Sequence, residues 1–353
     1  MFSAGIDAHL TYLVVAVVSK DGELLVRPTR VSVRQPQRLR ALLAPYRPLE
    51  AVVETCPAWP WLYELLTGWE VTLVLAHAKR LRAIAESDYK NDRLDTVLLA
   101  RMQVAGLIPR VFAKPREQRE QAALVRHRVV LVRQRTALLN RIHAHLHVVG
   151  LHIARGKLKT KAARPWLRQV AWPQLSGEPR RLIRSQLTLI DAIGPLVAGV
   201  DRRVRQVADA LPVVAQLRTV PGIGAYRGLL IAVEVLPIGR FAHAKQLVSY
   251  AGLAPRSRQS GERAVRYASI PFSANRWLRG VLVRTVVSHV KCAPHSWLSR
   301  YYAEQKTRLG WQAARKLCRA LHAMLRTGEG WKNETHVSMP RGELHFTHVA
   351  TTT

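Results

Sequence analysis

The apolar residues of this chain repeat in two different ways, and the change falls near residue 112. Before it, short β-branched runs alternate with stretches at helical spacing. Residues 3–18 and 23–33 read as two such runs, joined by the hairpin signal Lys20-Asp21-Gly22. Pro36 opens a helical stretch carrying Leu39, Leu42 and Leu43, and residues 50–56 are short and apolar enough for a buried strand. A helix over 59–66, a strand over 70–75 and a helix over 79–86 follow. Residues 91–106 then place Leu94, Val97, Leu98 and Met102 at helical spacing. Such alternation predicts a mixed α/β sheet covered by helices.

Beyond it, Leu124, Leu131 and Leu138 are seven apart, beside a second series of Val125, Val132, Leu139 and Leu146. Arg126, Arg128, Arg133, Arg135 and Arg141 fill the positions between. The pattern predicts one long amphipathic helix with a basic face, a coiled-coil arm. A basic connector over 155–168 and a second long helix over 180–209 complete an antiparallel pair. From Pro212 to about 328 the chain reads as helical, with turns at Pro221-Gly222-Ile223-Gly224 and Gly252-Leu253-Ala254-Pro255. Residues 331–353 lack periodicity and read as a mobile tail. The expected architecture is α/β plus α: a sheet domain over 1–111, a helical coiled-coil segment over 112–211, a mainly helical domain over 212–330, and the tail.

Charge follows the same division. The 353 residues include 55 Lys and Arg against 23 Asp and Glu, a net charge of +32. Residues 1–111 carry only +3 of it (14 basic, 11 acidic), whereas 112–200 carry +13 (17 against 4) and 201–353 carry +16 (24 against 8). So large an excess repels itself in a compact state, and a polyanion that exchanges condensed counterions for Lys and Arg offsets it. A nucleic acid is the expected partner. Cys56, Cys292 and Cys318 are odd in number and far apart, so neither a disulfide framework nor a cysteine zinc site is expected and a reducing cytoplasm is the default. The apolar run over 13–18 is too short to cross a membrane, and no membrane association is expected. His143, His145, His147 and His152 alternate around a helix, which favours a solvated or phosphate-facing surface over a metal site.

Four carboxylates carry the chemistry. Asp7 lies inside the first apolar run, in Ala4-Gly5-Ile6-Asp7-Ala8, and Glu54 ends another, Ala51-Val52-Val53-Glu54. A carboxylate withdrawn from water needs a partner or a cation. Asp92 and Asp95, three apart on a predicted helix, project from one face. Two strand-borne carboxylates and a helical pair can hold hard cations through oxygen, and two such ions clamp the attacking and leaving oxygens of a phosphoryl transfer. An RNase H-like nuclease domain has this order of acids. Singly, each has an ordinary reading: Asp92 and Asp95 as first-turn acids on a helix dipole, Glu54 as a surface strand end.

Gly5-Ile6-Asp7, Val53-Glu54 and Lys90-Asn91-Asp92-Arg93-Leu94-Asp95-Thr96 resemble the carboxylate motifs of DEDD transposases of the insertion sequence 110 family. The helix with Arg135, Leu138, Leu139, Asn140, Arg141 and Ile142 resembles that family's central segment. Thr219 to Gly224, Arg240-Phe241, Tyr250 to Pro255, Gln259-Ser260-Gly261 and Leu278-Arg279 resemble its C-terminal transposase domain. The resemblance covers about residues 3–325.

It implies a RuvC-like N-terminal domain, Mg²⁺ held by Asp7, Glu54, Asp92 and Asp95, and Ser260 as a nucleophile that joins DNA through a phosphoserine. It also implies donor and target DNA as substrates, a structured bridge RNA as guide, and homodimers or homotetramers in which one subunit's acids meet another's serine. The residues around Ser260 suit that role: Arg256, Arg258, Arg263 and Arg266 can stabilise phosphoryl charge, and Gly261 permits close backbone approach. Without the resemblance, Gln-Ser-Gly is an ordinary turn. Arg126, Arg133, Arg141, Gly222, Gly224 and Arg279 complete the candidate nucleic-acid contacts, although Pro221 to Gly224 also suits a plain helix–helix turn. Three departures stand out: Asn91 where relatives have Thr or Ser, Glu262 in place of Gly, and residues 269–275, which lack the family's Lys and Gly. The first is minor; the last fits a divergent subgroup or a weakened enzyme. The competing functions are a metal-dependent nuclease or junction resolvase without serine chemistry, and a non-catalytic nucleic-acid-binding descendant.

Overall fold

Nine residues, 24–32, form the longest strand of an N-terminal sheet whose order is β3-β2-β1-β4-β5-β6. In a computed structural model the chain is described over residues 1–82, 92–154, 156–160, 162–254, 256–258, 266–268, 274–305 and 310–333. At 82, 92–94, 159, 256–258 and 266–268 only the backbone is described. The chain divides into two compact units, Met1–Arg116 and Glu117–Thr353.

The first unit runs β1 (Phe2–Ala8), β2 (Tyr12–Val18), β3 (Leu24–Ser32), α1 (Pro36–Leu43), β4 (Leu49–Glu54), α2 (Trp59–Thr67), β5 (Thr72–Ala76), α3 (Ala78–Arg82), α4 (Asp92–Val104) and β6 (Arg110–Val111). The first three strands are antiparallel neighbours, while β1, β4 and β5 lie parallel. The apolar run over 3–18, expected as one stretch, is broken into β1 and β2 at His9-Leu10-Thr11. His9 N–H donates to the Tyr12 carbonyl at 2.9 Å. The turn holds no Gly or Pro and exposes an apolar side chain, Leu10 at 94 %, so nothing in composition marks it. The Lys20-Asp21-Gly22 hairpin forms as expected, with Gly22 at φ +82°.

Alternation along the strands gives the sheet two covered faces. Ala4, Ile6, Ala51, Val53 and Leu75 pack with Leu39 and Leu43 of α1 and Leu62 and Leu66 of α2. Val52, Val74 and Ala76 point the other way, onto Leu99 and Met102 of α4. Burial on both faces explains why β4 and β5 read as continuous apolar runs.

In the second unit, α5 (Arg116–Val148) and α8 (Gly177–Asp209) are linked by a connector containing α6 (Ala163–Trp166) and α7 (Trp172–Gln174). They are antiparallel: Leu139, Ile142 and Leu146 share a core with Ile183 and Leu187, whereas Ala122 and Val125 share another with Val204 and Ala208. The second of these cores also contains the C-terminal helices, α9 (Pro212–Arg218), α10 (Ala225–Val235), α11 (Ala244–Tyr250), α12 (Arg276–Cys292), α13 (Trp297–Glu304) and α14 (Trp311–Thr327). Between α11 and α12, β7 (Arg256–Arg258) and β8 (Arg266–Ala268) pair antiparallel. Trp331, expected in the mobile tail, is docked: its N–H donates to Thr219 Oγ1 at 2.8 Å and its ring stacks on Trp297 at 5.3 Å. Among the described residues no helix is long and apolar enough to cross a membrane.

Candidate active site

The register of β1 against β4 builds the first half of the site. Gly5 lies beside Val52 and Ile6 beside Val53, and Asp7 and Glu54 are the next residues on the two strands, close to where both end. Adjacent strands lie about 4.8 Å apart, and residues in register share a face. That face is the one bearing Val52, against α4.

Helix α4 supplies the second half, and its direction follows from two contacts. Gln103 Nε2 donates to Glu50 Oε2, and Glu50 is in register with Ser3. Two strand positions on, the Gly5 backbone meets the helix at Thr96: a Cβ there would overlap the Thr96 carbonyl oxygen and stand 2.9 Å from its carbon and 3.0 Å from the Ala100 nitrogen. Advancing along the strands therefore means retreating along the helix. Two strand residues cover about 6.6 Å, the rise of roughly four helical residues. The next strand level, that of Asp7 and Glu54, thus corresponds to the first turn of α4, where Asp92 and Asp95 lie. The helix therefore runs opposite to β1, and its first described residues reach the level of the strand ends.

Asp7 is part-buried, and His9 Nε2 lies 2.9 Å from its Oδ2. The His9 ring stacks on Tyr12 at 4.4 Å, and the Arg30 guanidinium carbon sits 3.6 Å from the Tyr12 ring centroid. Glu54 and Asp95 are also part-buried; the Asp92 side chain lies outside the described residues. Among the described residues no three His, Cys, Asp or Glu side chains by themselves form an ion site. The donor set is nevertheless of one kind, carboxylate oxygens, which suits a hard divalent cation.

The C-terminal candidates are more scattered. Ser260, Glu262 and Arg263 fall in 259–265, outside the described residues, between the paired strands β7 and β8. Arg256 and Arg258 lie on β7, and Arg258 is in register with Arg266. Arg279, on α12, lies 5.7 Å from the Trp311 ring centroid. On α5, Arg141 is exposed, Arg133 sits 5.5 Å from the Trp277 ring, and Arg126 is tied down by an ion pair to Glu234 at 2.6 Å.

Gly222 and Gly224 differ sharply. Gly222 has φ +89°, and a Cβ there would meet the His289 backbone nitrogen at 2.8 Å, so tight packing of the turn on α12 accounts for it without a ligand. Gly224 has open space where its Cβ would be and starts α10 with no side-chain cap. Arg227 beside it donates to the Gly222 carbonyl at 2.5 Å. Burial, then repulsion from Arg284, holds its pKa below the ordinary range.

His289, unremarked in the sequence, fixes this turn from below. Fully buried, it places Nδ1 2.9 Å from the Pro221 carbonyl and Nε2 2.7 Å from Ser296 Oγ. A neutral imidazole satisfies both, donating to the carbonyl and accepting from the hydroxyl. Burial lowers its pKa from the ordinary 6.5. Its folded pKa being depressed, the unfolded chain binds the extra proton as pH falls below about 6.5, and stability drops from there downward. We expect His289→Gln to flatten the fall in unfolding free energy between about pH 7 and pH 5; denaturant titrations across that range giving parallel curves would contradict this.

Glu234 was equally missed, although its signal was the one that marked Asp7. It is a lone carboxylate within the apolar run 229–235, only 1 % exposed, and so demands partners.

An acid-lined mixed sheet joined to a basic helical unit is the constitution of a transposase of the DEDD class. Residues 4–150 match the family profile for DEDD transposases of the IS110 type, and residues 214–303 match that described as the transposase IS116/IS110/IS902 family. The chain belongs to the IS110 family of transposases. It is 27 % identical over 243 residues to the transposase for insertion sequence element IS1111A of Coxiella burnetii, covering 68 % of this chain and 66 % of that protein. Over 95 residues it is 35 % identical to the pilin gene-inverting protein of Moraxella bovis, 26 % of this chain and 30 % of the relative. The matched part thus spans less than two thirds of each relative's length.

Proposed function

We propose that this protein is a DNA recombinase that moves an insertion sequence, cutting and rejoining donor and target DNA in the cytoplasm through a phosphoserine at Ser260. The observation that carries the reading is the register of β1 against β4, which runs to Ile6 and Val53, the residues just before Asp7 and Glu54, in a chain of this family. The sheet order, three antiparallel strands followed by parallel β4 and β5, supports an RNase H-like, RuvC-like domain. The names of the two relatives, a transposase and a gene-inverting protein, both describe DNA rearrangement.

Asp7, Glu54, Asp92 and Asp95 would hold the metal, Mg²⁺ by their all-oxygen donor set. When bound, such an ion neutralises charge at a scissile phosphate. The chain's own residues do the rest. Ser260 Oγ bonds to phosphorus, the bond to the leaving deoxyribose oxygen breaks, and that oxygen gains a proton as the serine loses one. Attack by a deoxyribose hydroxyl on the phosphoserine reverses these changes, so rejoining conserves bond energy and needs no nucleotide cofactor. Arg256, Arg258 and Arg263, near Ser260 in the sequence, would supply positive charge for the phosphoryl oxygens. Arg133, Arg141, Arg279 and the Gly224 end of α10 hold phosphates further along the strand. A structured bridge RNA chooses the DNA, and a homodimer or homotetramer brings one subunit's acids to another's serine.

The test is to trap a covalent protein–DNA adduct on denaturing gels. Wild type with Mg²⁺ and its element's RNA is expected to form it, Asp92→Ala to form little, and Ser260→Ala none. An adduct that persists in Ser260→Ala overturns the mechanism, and cleavage without any adduct supports the purely hydrolytic reading instead. Full activity in RNA-free protein would remove the guide.

A further inference from the structure

We infer that Glu234, Arg126, Asn275 and Tyr250 form a positioning cluster that fixes, against the long helix α5, the two chain ends between which Ser260 lies in the sequence. The inference rests on Ser260 being the nucleophile.

Glu234 lies in the last turn of α10, withdrawn from water. Its two oxygens are engaged from different parts of the fold. Arg126 of α5 donates to Oε1 at 2.6 Å, and Asn275 Nδ2 donates to Oε2 at 2.8 Å. The Glu234 backbone carbonyl accepts from Arg240 at 2.5 Å. The Arg240 guanidinium in turn sits over the rings of Phe241 and Tyr250.

Asn275 is the second hub. Its Nδ2 also lies 3.0 Å from the Tyr250 hydroxyl, and its Oδ1 accepts from the Trp277 and Leu278 amides, capping α12. Its own N–H donates to the Tyr250 carbonyl at 2.9 Å. Tyr250 ends α11 and Asn275 precedes α12, so this pair closes the base of the segment that contains β7, β8 and Ser260 between them.

Stability alone explains this arrangement poorly. Glu234 is buried and Arg126 half-exposed; such a pair contributes little net stability compared with well-packed apolar side chains, and its best-attested use is to specify one geometry. Here the geometry specified is where the ends of α11 and α12 meet α5 and α10. Arg133 of α5 also reaches the Trp277 ring beside the same cap. A nucleophile between two chain ends is only as well placed as those ends, because catalysis is sensitive to small errors of position.

The test compares Asn275→Ser and Glu234→Gln with wild type and Ser260→Ala, each loaded with its RNA and DNA. Serine retains the α12 cap but cuts the links to Glu234 and Tyr250; Gln retains the shape and removes the charge. Both are expected to slow single-turnover adduct formation about ten- to a hundredfold while the DNA Kd stays within about twofold. Amide hydrogen exchange should quicken in the stem residues 256–258 and 266–268 and stay unchanged in the middle of α12. A wild-type adduct rate in Asn275→Ser overturns the inference. So does a slowed rate without faster stem exchange, since the defect then does not pass through the segment that carries Ser260. An adduct in Ser260→Ala overturns the nucleophile itself, a result that neither cluster variant can mimic.

Discussion

Gly5→Ala is expected to lower the unfolding midpoint of the N-terminal unit by roughly 10 °C, and to abolish the acid-dependent chemistry with it. An added methyl normally helps a strand, because glycine is worth about 0.5–1 kcal/mol less than alanine there. At this position the sign reverses. The new Cβ would overlap the Thr96 carbonyl and crowd the Ala100 nitrogen, all of them backbone atoms of α4 that no rotamer change can move aside. The helix must translate, and over-packing of that kind costs about 3 kcal/mol. Translation opens the cleft between α4 and the ends of β1 and β4, so Asp92 and Asp95 move away from Asp7 and Glu54 together. Gly68→Ala is the control: it closes α2 at φ −65° with nothing nearer than 3.5 Å. Thermal melts of the two variants that coincide would show that α4 does not depend on a bare backbone at Gly5.

The same position shows where sequence reading reached and where it stopped. Asp7 and Glu54 were legible because a charge inside an apolar strand is a thermodynamic anomaly that needs a cause. Asp92 and Asp95 were legible as a pair, since helical spacing alone puts them on one face. What brings the two pairs to one level is a backbone approach, and its only trace in the sequence is a glycine inside a strand, which has several ordinary explanations. Glu234 carried the same anomaly as Asp7 but sat in a helical run, where its partners Arg126 and Asn275 lie 108 and 41 residues away. Long-range pairing of that sort leaves no local signature. The break between β1 and β2 was hidden by Leu10, an apolar residue in a turn that the hydrophobic pattern counts as strand. The long helix α5, by contrast, was written plainly in its seven-residue repeat, because periodicity survives whatever the helix packs against.

The Pro221 to Gly224 turn separates packing from ligand binding by a single pair of substitutions. Gly222→Ala forces a side chain into φ +89° and drives its Cβ to 2.8 Å from the His289 nitrogen and 3.1 Å from the Ser288 carbonyl carbon. Backbone strain of about 1 kcal/mol or more adds to an over-packing cost of about 1–3 kcal/mol, and α12 can yield only by disturbing the buried His289–Ser296 bond. We expect the second unit to lose on the order of 3 kcal/mol of stability, read as a shifted denaturant midpoint with unchanged slope. Gly224→Ala meets nothing within 4 Å and sits at φ −98°, so its melt should match wild type. On the proposed reading, its methyl would nonetheless hinder a phosphate that approaches the first amides of α10. DNA affinity should therefore fall about tenfold in Gly224→Ala, with a shallower dependence on salt, while the fold is untouched. Wild-type affinity and salt slope in that variant would reduce the turn to helix packing and leave Gly222 as its whole purpose.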